Sequence, residues 1–390
     1  MHASTRLQTL TDDPSGGWEI FERARAMIRD GTPVIELTIG EHDIRTDPRI
    51  LEAMDKAARA GHTGYAAVPG TATLREAIAS RVAKRTGVPT TPSNVLITPG
   101  GQSALFAAHI AAGEPGDRAA YLDPYYATYP GTIRAAGLIP TALQTAAQHG
   151  FLPQKTDLLA DTKGCCSLLV NTPNNPTGGV YPRTTAQDIL DVAKTNDLWI
   201  ISDEVYDTQD WTQEFVSLRS LEGAAERTLT IGSMSKSHAM TGSRIGWIIG
   251  PDPVIQGLIT LATHTTYGVP GFIQDAALHA LSLGPKFEAE IAAPFLRRRN
   301  AVLELLEGQN IVKAQPSGGA MYLMLDIRAT GLSGKDFADQ LLDEAHIAVM
   351  PGESFGQAAA GHIRLALTQP DSILIEAVKA LLRFASQGRY

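Results

Sequence analysis

The sequence predicts an α/β fold, in which a largely parallel sheet is covered by helices on both faces and is followed by a smaller α and β unit. Over most of the chain, short apolar runs alternate with amphipathic helical stretches, and Gly, Pro, Asn or Asp bounds each run. Parallel neighbours need a crossover that is usually a helix, so this alternation is typical of a parallel sheet. From about residue 285 the pattern changes to a helix, two strands and a final helix, which predicts the second unit.

Each element is predicted from its own local pattern. Apolar runs between turn residues predict strands at 94–98, 118–122, 167–171, 198–202, 228–232 and 244–249. Helical spacing of apolar residues predicts helices at 103–112, 185–195 and 271–283. The smaller unit is predicted to contain strands at 321–325 and 363–366 and a helix at 372–385. A helix at 18–30 comes before the sheet pattern and is predicted to pack with the smaller unit.

The chain of 390 residues is long for a single core, so two domains are expected. The predicted organisation is an N-terminal segment at 1–40 that packs with the small domain, a large domain at 41–284 and a small domain at 285–390. We expect the large domain to hold the ligand site, because ligands of parallel sheets bind beyond the carboxyl ends of the strands.

Composition excludes several classes of function. A net charge of -8 opposes a broad nucleic-acid surface, and no segment has the apolar length that spans a bilayer. Residues 1–11 lack the apolar stretch of a secretory signal, so we expect a cytoplasmic protein. The two cysteines, Cys165 and Cys166, are adjacent in an apolar run and are predicted to be core residues. They cannot form a zinc site alone, and no metal site is predicted.

One lysine carries the strongest chemical signal. Lys236 ends the run Ser-Met-Ser-Lys from Ser233, and Arg244 begins the run Arg-Ile-Gly-Trp shortly after it. A lysine amine forms a Schiff base with an aldehyde, and hydroxyl groups with an arginine suit a dianionic phosphate. The segment therefore indicates pyridoxal phosphate, which carries both groups. Taken alone, a lysine between serines is equally consistent with a solvated loop.

Residues that follow the first two predicted strands of the sheet also suit a phosphate and a flat ring. Gly101 and Gln102 stand where a strand turns into a helix, and the first amides of a helix attract phosphate. Without the lysine, a tight strand-to-helix turn is the favoured explanation of the glycines. Tyr126 lies in an aromatic run after the next strand, and its ring can stack on a flat heteroaromatic group.

Three later positions offer an amide, a carboxylate and a guanidinium. Asn175 lies in the run Asn-Asn-Pro-Thr-Gly after one strand, and Asp203 begins Asp-Glu-Val-Tyr after the next. A carboxylate at the end of a buried strand needs a cationic partner, such as a protonated pyridine nitrogen, unless it caps a helix. Arg364 stands among apolar strand residues, where a substrate carboxylate or an internal salt bridge is the expected partner.

In this order along the chain, the motifs resemble the fold-type I pyridoxal-phosphate enzymes, specifically the class I and II aminotransferases typified by aspartate and aromatic aminotransferases. The resemblance begins at Leu37, passes through Tyr65 and closes at Arg364. It implies the PLP-dependent transferase fold, in which a large domain with a mainly parallel seven-stranded sheet adjoins a smaller α+β domain. It also implies a homodimer, because Tyr65 is expected to reach the phosphate of the neighbouring subunit.

The resemblance implies a role for each motif residue. Lys236 is expected to form the Schiff base (internal aldimine) and then to move the proton at the substrate carbon, while Asp203 keeps the pyridine nitrogen protonated. Tyr206 and Asn175 are expected to hydrogen-bond the phenolic oxygen, and Tyr126 to stack on the ring. The implied phosphate ligands are Gly101, Gln102, Ser233, Arg244 and the neighbouring Tyr65. The implied ligands of the substrate α-carboxylate are Arg364, Asn175 and the backbone at Gly40.

The implied reaction is transfer of an amino group between an L-amino acid and a 2-oxo acid in two half-reactions. Dicarboxylate-selective relatives often supply a second arginine from the partner subunit near the segment that here spans 262–268, and this segment contains none. Strict aspartate specificity is therefore not expected, and His264 and Tyr267 are candidates for the side-chain pocket. Two alternatives stay open, a pyridoxal-phosphate lyase that eliminates a sulfur group and a non-catalytic sensor.

Overall fold

A seven-stranded sheet forms the centre of the computed structural model, which describes residues 4–11, 17–213 and 215–387. The described strands are β1 Ile35–Glu36, β2 Val95–Thr98, β3 Arg118–Asp123, β4 Ile139–Gln144, β5 Cys165–Asn171, β6 Trp199–Asp203, β7 Thr228–Ser233, β8 Gly246–Ile249, β9 Lys313–Ala314, β10 Tyr322–Asp326, β11 Ile347–Ala348, β12 Met350–Pro351 and β13 His362–Ala366. The described helices are α1 Thr5–Gln8, α2 Glu19–Arg29, α3 Pro48–Arg59, α4 Ala72–Thr86, α5 Gly100–Ala112, α6 Tyr129–Ala135, α7 Lys155–Asp161, α8 Arg183–Thr195, α9 Met234–Ser237, α10 Asp252–Thr263, α11 Gly271–Ser282, α12 Gly284–Leu306, α13 Gly334–Ala345 and α14 Asp371–Ser386.

The strand order of the large sheet is β2-β8-β7-β6-β5-β3-β4. All neighbours pair in parallel except β8, which runs antiparallel to both β2 and β7. The seven-stranded, mainly parallel sheet is therefore confirmed. The strand β4 was not predicted. It lies at the edge of the sheet, and most of its side chains are exposed or partly exposed, so its residues do not form an apolar run.

Both faces of the large sheet are buried, as its continuous apolar strands require. Leu169 and Ile201 belong to a cluster with α5, α6 and α10, whereas their neighbours Leu168 and Ile200 belong to a cluster with α8. Successive strand residues point to opposite faces, so each helical layer receives alternate residues of the same strands. This packing holds the carboxyl ends of β5, β6 and β7 at one edge.

A second sheet of four antiparallel strands, in the order β12-β13-β10-β9, lies between residues 313 and 366. The short strand β1 pairs in parallel with β11, so the segment before residue 40 is joined to the C-terminal part of the chain. The domain boundaries at 40 and 284 stay a prediction. Among the described helices, none is both long and apolar enough to cross a bilayer.

One predicted strand begins later than expected. The sequence predicts β-structure from residue 244, but β8 begins at Gly246, and Arg244 adopts a left-handed conformation with φ of 49° after a short 3-10 turn. The apolar run from Ile245 onward is what the local pattern detects. The close approach of β8 to Gly100 requires glycine at position 246, because a Cβ there would lie 2.8 Å from the Gly100 carbonyl carbon.

Candidate active site

A cavity of about 290 Å³ lies at the carboxyl ends of β5, β6 and β7. Every predicted ligand of the cofactor and of the substrate α-carboxylate lines it except Tyr65. The predicted residues in its wall are Gly40, Gly101, Gln102, Tyr126, Asn175, Asp203, Tyr206, Ser233, Lys236, Arg244 and Arg364. The wall also includes Trp18, Glu41, Tyr129 and Tyr322, which the sequence motifs did not single out.

Lys236 lies on α9, directly after β7, and reaches the centre of the cavity. Its Nζ donates a hydrogen bond to the carbonyl oxygen of Gly40. Burial lowers the pKa of the Lys236 amine to about 8, and the negative charge of Glu41 opposes that decrease. A lysine with this pKa has a substantial neutral fraction near neutral pH, which both nucleophilic attack on an aldehyde and proton abstraction require.

Asp203 is a buried carboxylate at the end of β6, with 4% of its surface exposed. Its Oδ2 accepts a hydrogen bond of 2.7 Å from the Tyr129 hydroxyl, and its Oδ1 accepts one of 3.3 Å from the amide of Val205. Burial raises the pKa of Asp203 to about 6. No salt bridge to Asp203 occurs in the part of the chain that the structure describes. The site therefore offers a carboxylate that a cationic ligand atom would stabilise.

The N-terminus of α5 and three side chains form a cradle for an anion. Gly101 lies in the first turn of this helix, whose free amides attract anions, and the wall beside it contains Ser233, Ser235 and Arg244. Gly100 has φ of +78°, and a Cβ there would overlap the guanidinium of Arg244. These groups fit a phosphate in their chemistry.

Gln102 contributes to the cavity differently from the other predicted phosphate ligands. Its Nε2 donates a hydrogen bond of 2.6 Å to the Thr132 hydroxyl, and its Oε1 accepts one of 3.1 Å from Thr128. Its side-chain amide is thus engaged by the segment around α6. Only its backbone amide, near the start of α5, is placed to meet an anion.

Arg364 is buried in the middle of β13, with 1% of its surface exposed. Its guanidinium donates to Asn175 Oδ1 at 2.8 Å and to the carbonyl oxygen of Thr38. It lies between the rings of Tyr322 and Phe355, 4.4 and 4.3 Å from their centroids. Within the described ranges it has no carboxylate partner, and its Nε lacks a hydrogen bond. The internal salt bridge considered from the sequence is not found, and a ligand carboxylate suits this buried cation.

Aromatic side chains complete the wall. The Tyr206 hydroxyl lies 2.9 Å from the Tyr322 hydroxyl, and burial raises the pKa of Tyr206. Both groups therefore stay protonated at neutral pH and can donate hydrogen bonds. Tyr126 packs edge-on against Tyr129, with ring centroids 5.7 Å apart. A Cβ at position 40 would overlap the Tyr322 hydroxyl, so this close approach requires Gly40.

Tyr65 does not join the cavity of its own chain. It is 93% exposed and packs edge-on against Tyr267, which is 53% exposed, with ring centroids 5.2 Å apart. His264 ends α10 near them and is likewise absent from the cavity wall. These three residues form part of the chain's outer surface.

The loop after Gly40 is held by a buried arginine on α12. Arg298 donates to both carboxylate oxygens of Asp43, at 2.9 and 2.7 Å, to Asp371 at 2.8 Å and to the carbonyl oxygen of Leu367 at 3.1 Å. Leu367 follows β13, which carries Arg364. One guanidinium therefore connects the Gly40 loop to the segment that follows Arg364.

Replacement of Arg298 by Met is expected to lower the free energy of unfolding by about 3 kcal/mol, because two carboxylates and a carbonyl lose a buried partner. Arg297→Met provides a matched control, since Arg297 also contacts Asp371 but is 59% exposed. Its loss is expected to cost less than about 1 kcal/mol. Urea denaturation of both variants measures the difference, and equal losses would contradict the role given to Arg298.

Comparison with known proteins gives a consistent result over almost the whole chain. Residues 32–381 match the family described as aminotransferase class I and II. The arginine–pyruvate transaminase of Pseudomonas aeruginosa is 38% identical over 390 residues, which cover 99% of each chain. The aspartate/prephenate aminotransferase of Thermus thermophilus is 34% identical, over 98% of this chain and 97% of that protein. The solved aspartate aminotransferase from Thermus thermophilus with maleate has a TM-score of 0.92 at 32% identity, covering 98% of this chain and 99% of that one.

Proposed function

The chain belongs to the class I and II aminotransferases, and from this membership we propose that it binds pyridoxal phosphate in the cavity around Lys236. As an aminotransferase it moves an amino group between an amino acid and a 2-oxo acid. The observation that carries the proposal is the cavity itself, whose wall contains a lysine amine, a buried carboxylate and a buried guanidinium that has no carboxylate partner among the described residues. When bound, pyridoxal phosphate supplies an aldehyde and a ring that accepts electrons from the substrate carbon.

Each end of the cavity has a distinct task in this proposal. The amides at the start of α5, the Ser233 hydroxyl and the Arg244 guanidinium hold the phosphate. Asp203 holds a proton on the ring nitrogen, because a buried carboxylate favours a cationic neighbour. Tyr206 and Asn175 donate hydrogen bonds to the phenolic oxygen, and Tyr126 covers the ring.

Arg364 and Lys236 act on the substrate. Arg364 binds the α-carboxylate through its planar fork, with Asn175 and the backbone at Gly40 beside it, and so orients the substrate carbon. Lys236 Nζ would take the proton from that carbon and would deliver it to the carbon that carried the cofactor's aldehyde oxygen. The pKa of about 8 of this amine suits a base that works near neutral pH.

A homodimer is part of the proposal. Tyr65 is 93% exposed and lies outside its own cavity, which leaves its hydroxyl available to the cavity of a second copy. Sedimentation velocity of the purified protein tests this arrangement, and a monomer that turns over amino acids would contradict it.

The donor is not decided by the relatives, whose names include a basic and an acidic amino acid. The experiment that tests the proposed function is a visible spectrum of the pyridoxal phosphate-loaded protein while single amino acids are added without a 2-oxo acid. We expect the cofactor band to shift as about one equivalent of 2-oxo acid per site is released. Release of ammonia would favour the lyase, and a spectrum that no amino acid changes would favour the sensor.

A further inference from the structure

One charged residue in the cavity wall has no role in the proposed function. Among the described residues, the charged side chains that line the cavity are Lys236, Arg244, Arg364, Asp203 and Glu41. In the proposed function the first four face the cofactor aldehyde, the phosphate, the α-carboxylate and the ring nitrogen. Glu41 is assigned to none of these groups. Its carboxylate is therefore available to the remaining part of the substrate, which is the side chain.

Glu41 is held where a substrate side chain can reach it. It directly follows Gly40, whose carbonyl oxygen accepts the hydrogen bond of Lys236. Its Oε1 accepts one hydrogen bond of 3.1 Å, from the Thr241 hydroxyl, and within the described ranges it forms no salt bridge. Of the charged neighbours of Lys236, Glu41 has the largest effect on the pKa of that amine. The carboxylate thus lies close to Lys236 and forms no salt bridge within the described ranges.

The cavity wall that contains Glu41 suits a long cationic side chain. Trp18 lines the same cavity and is only partly buried, and the carbonyl of the preceding Gly17 accepts a hydrogen bond of 2.8 Å from the Ser354 hydroxyl. An indole face attracts an ammonium or guanidinium group. A second carboxylate on the substrate would find no further lysine or arginine among the described wall residues and would be repelled by Glu41.

We propose that Glu41, with Trp18 in the same cavity wall, selects amino donors whose side chains end in a positive charge. The assignment rests on the proposed function, since Arg364 must hold the α-carboxylate for the side chain to point towards Glu41. A guanidinium can interact with both Glu41 and Trp18, because it pairs with a carboxylate through two parallel hydrogen bonds and lies flat against an aromatic ring.

Binding of an unreactive ligand tests the proposal without turnover. δ-Guanidinovaleric acid lacks the α-amino group, and δ-ureidovaleric acid has the same shape without the charge. By calorimetry on the cofactor-loaded protein, we expect the guanidino compound to bind about tenfold more tightly, the gain of one hydrogen bond to a charged group. Glu41→Gln is expected to remove that difference. Glu52→Gln, which alters an exposed carboxylate on α3, is the matched control and is expected to keep it.

The half-reaction with arginine and with its neutral analogue citrulline is the second test. Glu41→Gln is expected to lower kcat/KM for arginine about tenfold and to leave citrulline within about twofold. The proposal is wrong if the unaltered protein treats the two donors alike. It is also wrong if the variant lowers both equally, because Glu41 would then act through Lys236. If no amino acid reacts, the proposed function fails, and the ligand-binding difference still decides the role of Glu41.

Discussion

Replacement of Lys236 by alanine is expected to abolish amino-group transfer and to remove the visible absorbance of the lysine-linked cofactor. Lys236 is the only lysine in the described wall of the cavity, so no neighbouring amine can take its place. The variant loses both the covalent attachment of the cofactor and the general base. General base catalysis alone contributes a factor of about a hundred to ten thousand in rate. We therefore expect a decrease in kcat of at least about three orders of magnitude.

Steady-state turnover with an excess of both substrates measures this loss, and the visible spectrum reports the covalent link. Lys56→Ala, in the exposed face of α3, is the control for removal of a lysine and is expected to retain full activity. Added ethylamine is expected to restore part of the rate of Lys236→Ala, because a free amine can replace the missing base. A variant that still transfers amino groups at a rate near that of the unaltered protein would refute the role of Lys236.

Replacement of Asp203 by asparagine is expected to have the second largest effect, a decrease in kcat of about a hundredfold or more, the cost of one preorganised electrostatic partner. Asparagine keeps the shape and can still accept the hydrogen bond from Tyr129, but it has no charge to hold a proton on the ring nitrogen. Glu204→Gln is the matched control. Glu204 is also buried, but its carboxylate accepts from Ser202 and Ser217 and does not line the cavity. Its replacement is expected to leave kcat nearly unchanged.

Asp203→Asn is also expected to stabilise the cofactor-free protein above pH 6. Burial raises the pKa of Asp203 from 3.8 to about 6, so the folded carboxyl retains its proton between these values while the unfolded one has lost it. Stability therefore falls as the pH rises through this window, and above it the buried charge costs roughly 3 kcal/mol. Asparagine carries no such cost. Urea denaturation at pH 5 and pH 8 measures the effect, and a variant that is less stable than the unaltered protein at pH 8 would contradict it.

The two measurements on Asp203 separate catalysis from folding. Burial also raises the pKa of Glu204, to about 7, so Glu204→Gln is expected to be stabilising as well. Both variants should therefore unfold at higher urea concentration, while only Asp203→Asn should lose turnover. This outcome would show that the fold tolerates a costly buried carboxylate at position 203 because the reaction uses it.

The local pattern of the sequence predicts most of the large sheet and fails where burial is partial. Strands β5 and β6 are largely apolar runs with turn residues at their ends, because helices cover both of their faces. Strand β4 is mostly solvent-exposed, and its pattern contains no apolar run to detect. The reversed direction of β8 was also not predicted, since the spacing of apolar residues is the same in parallel and antiparallel strands.

By itself, the sequence determined which residues end the strands and which chemical groups they carry, because turn residues, apolar runs and side-chain chemistry are local properties. Only the tertiary structure decided which of these groups meet. Arg364 reaches Asn175 and Thr38 from distant parts of the chain and finds no carboxylate there. Glu41 and Trp18 join the cavity, whereas Tyr65 points outward. Such contacts depend on how the helices and sheets pack in three dimensions, and no local pattern of residues encodes that packing.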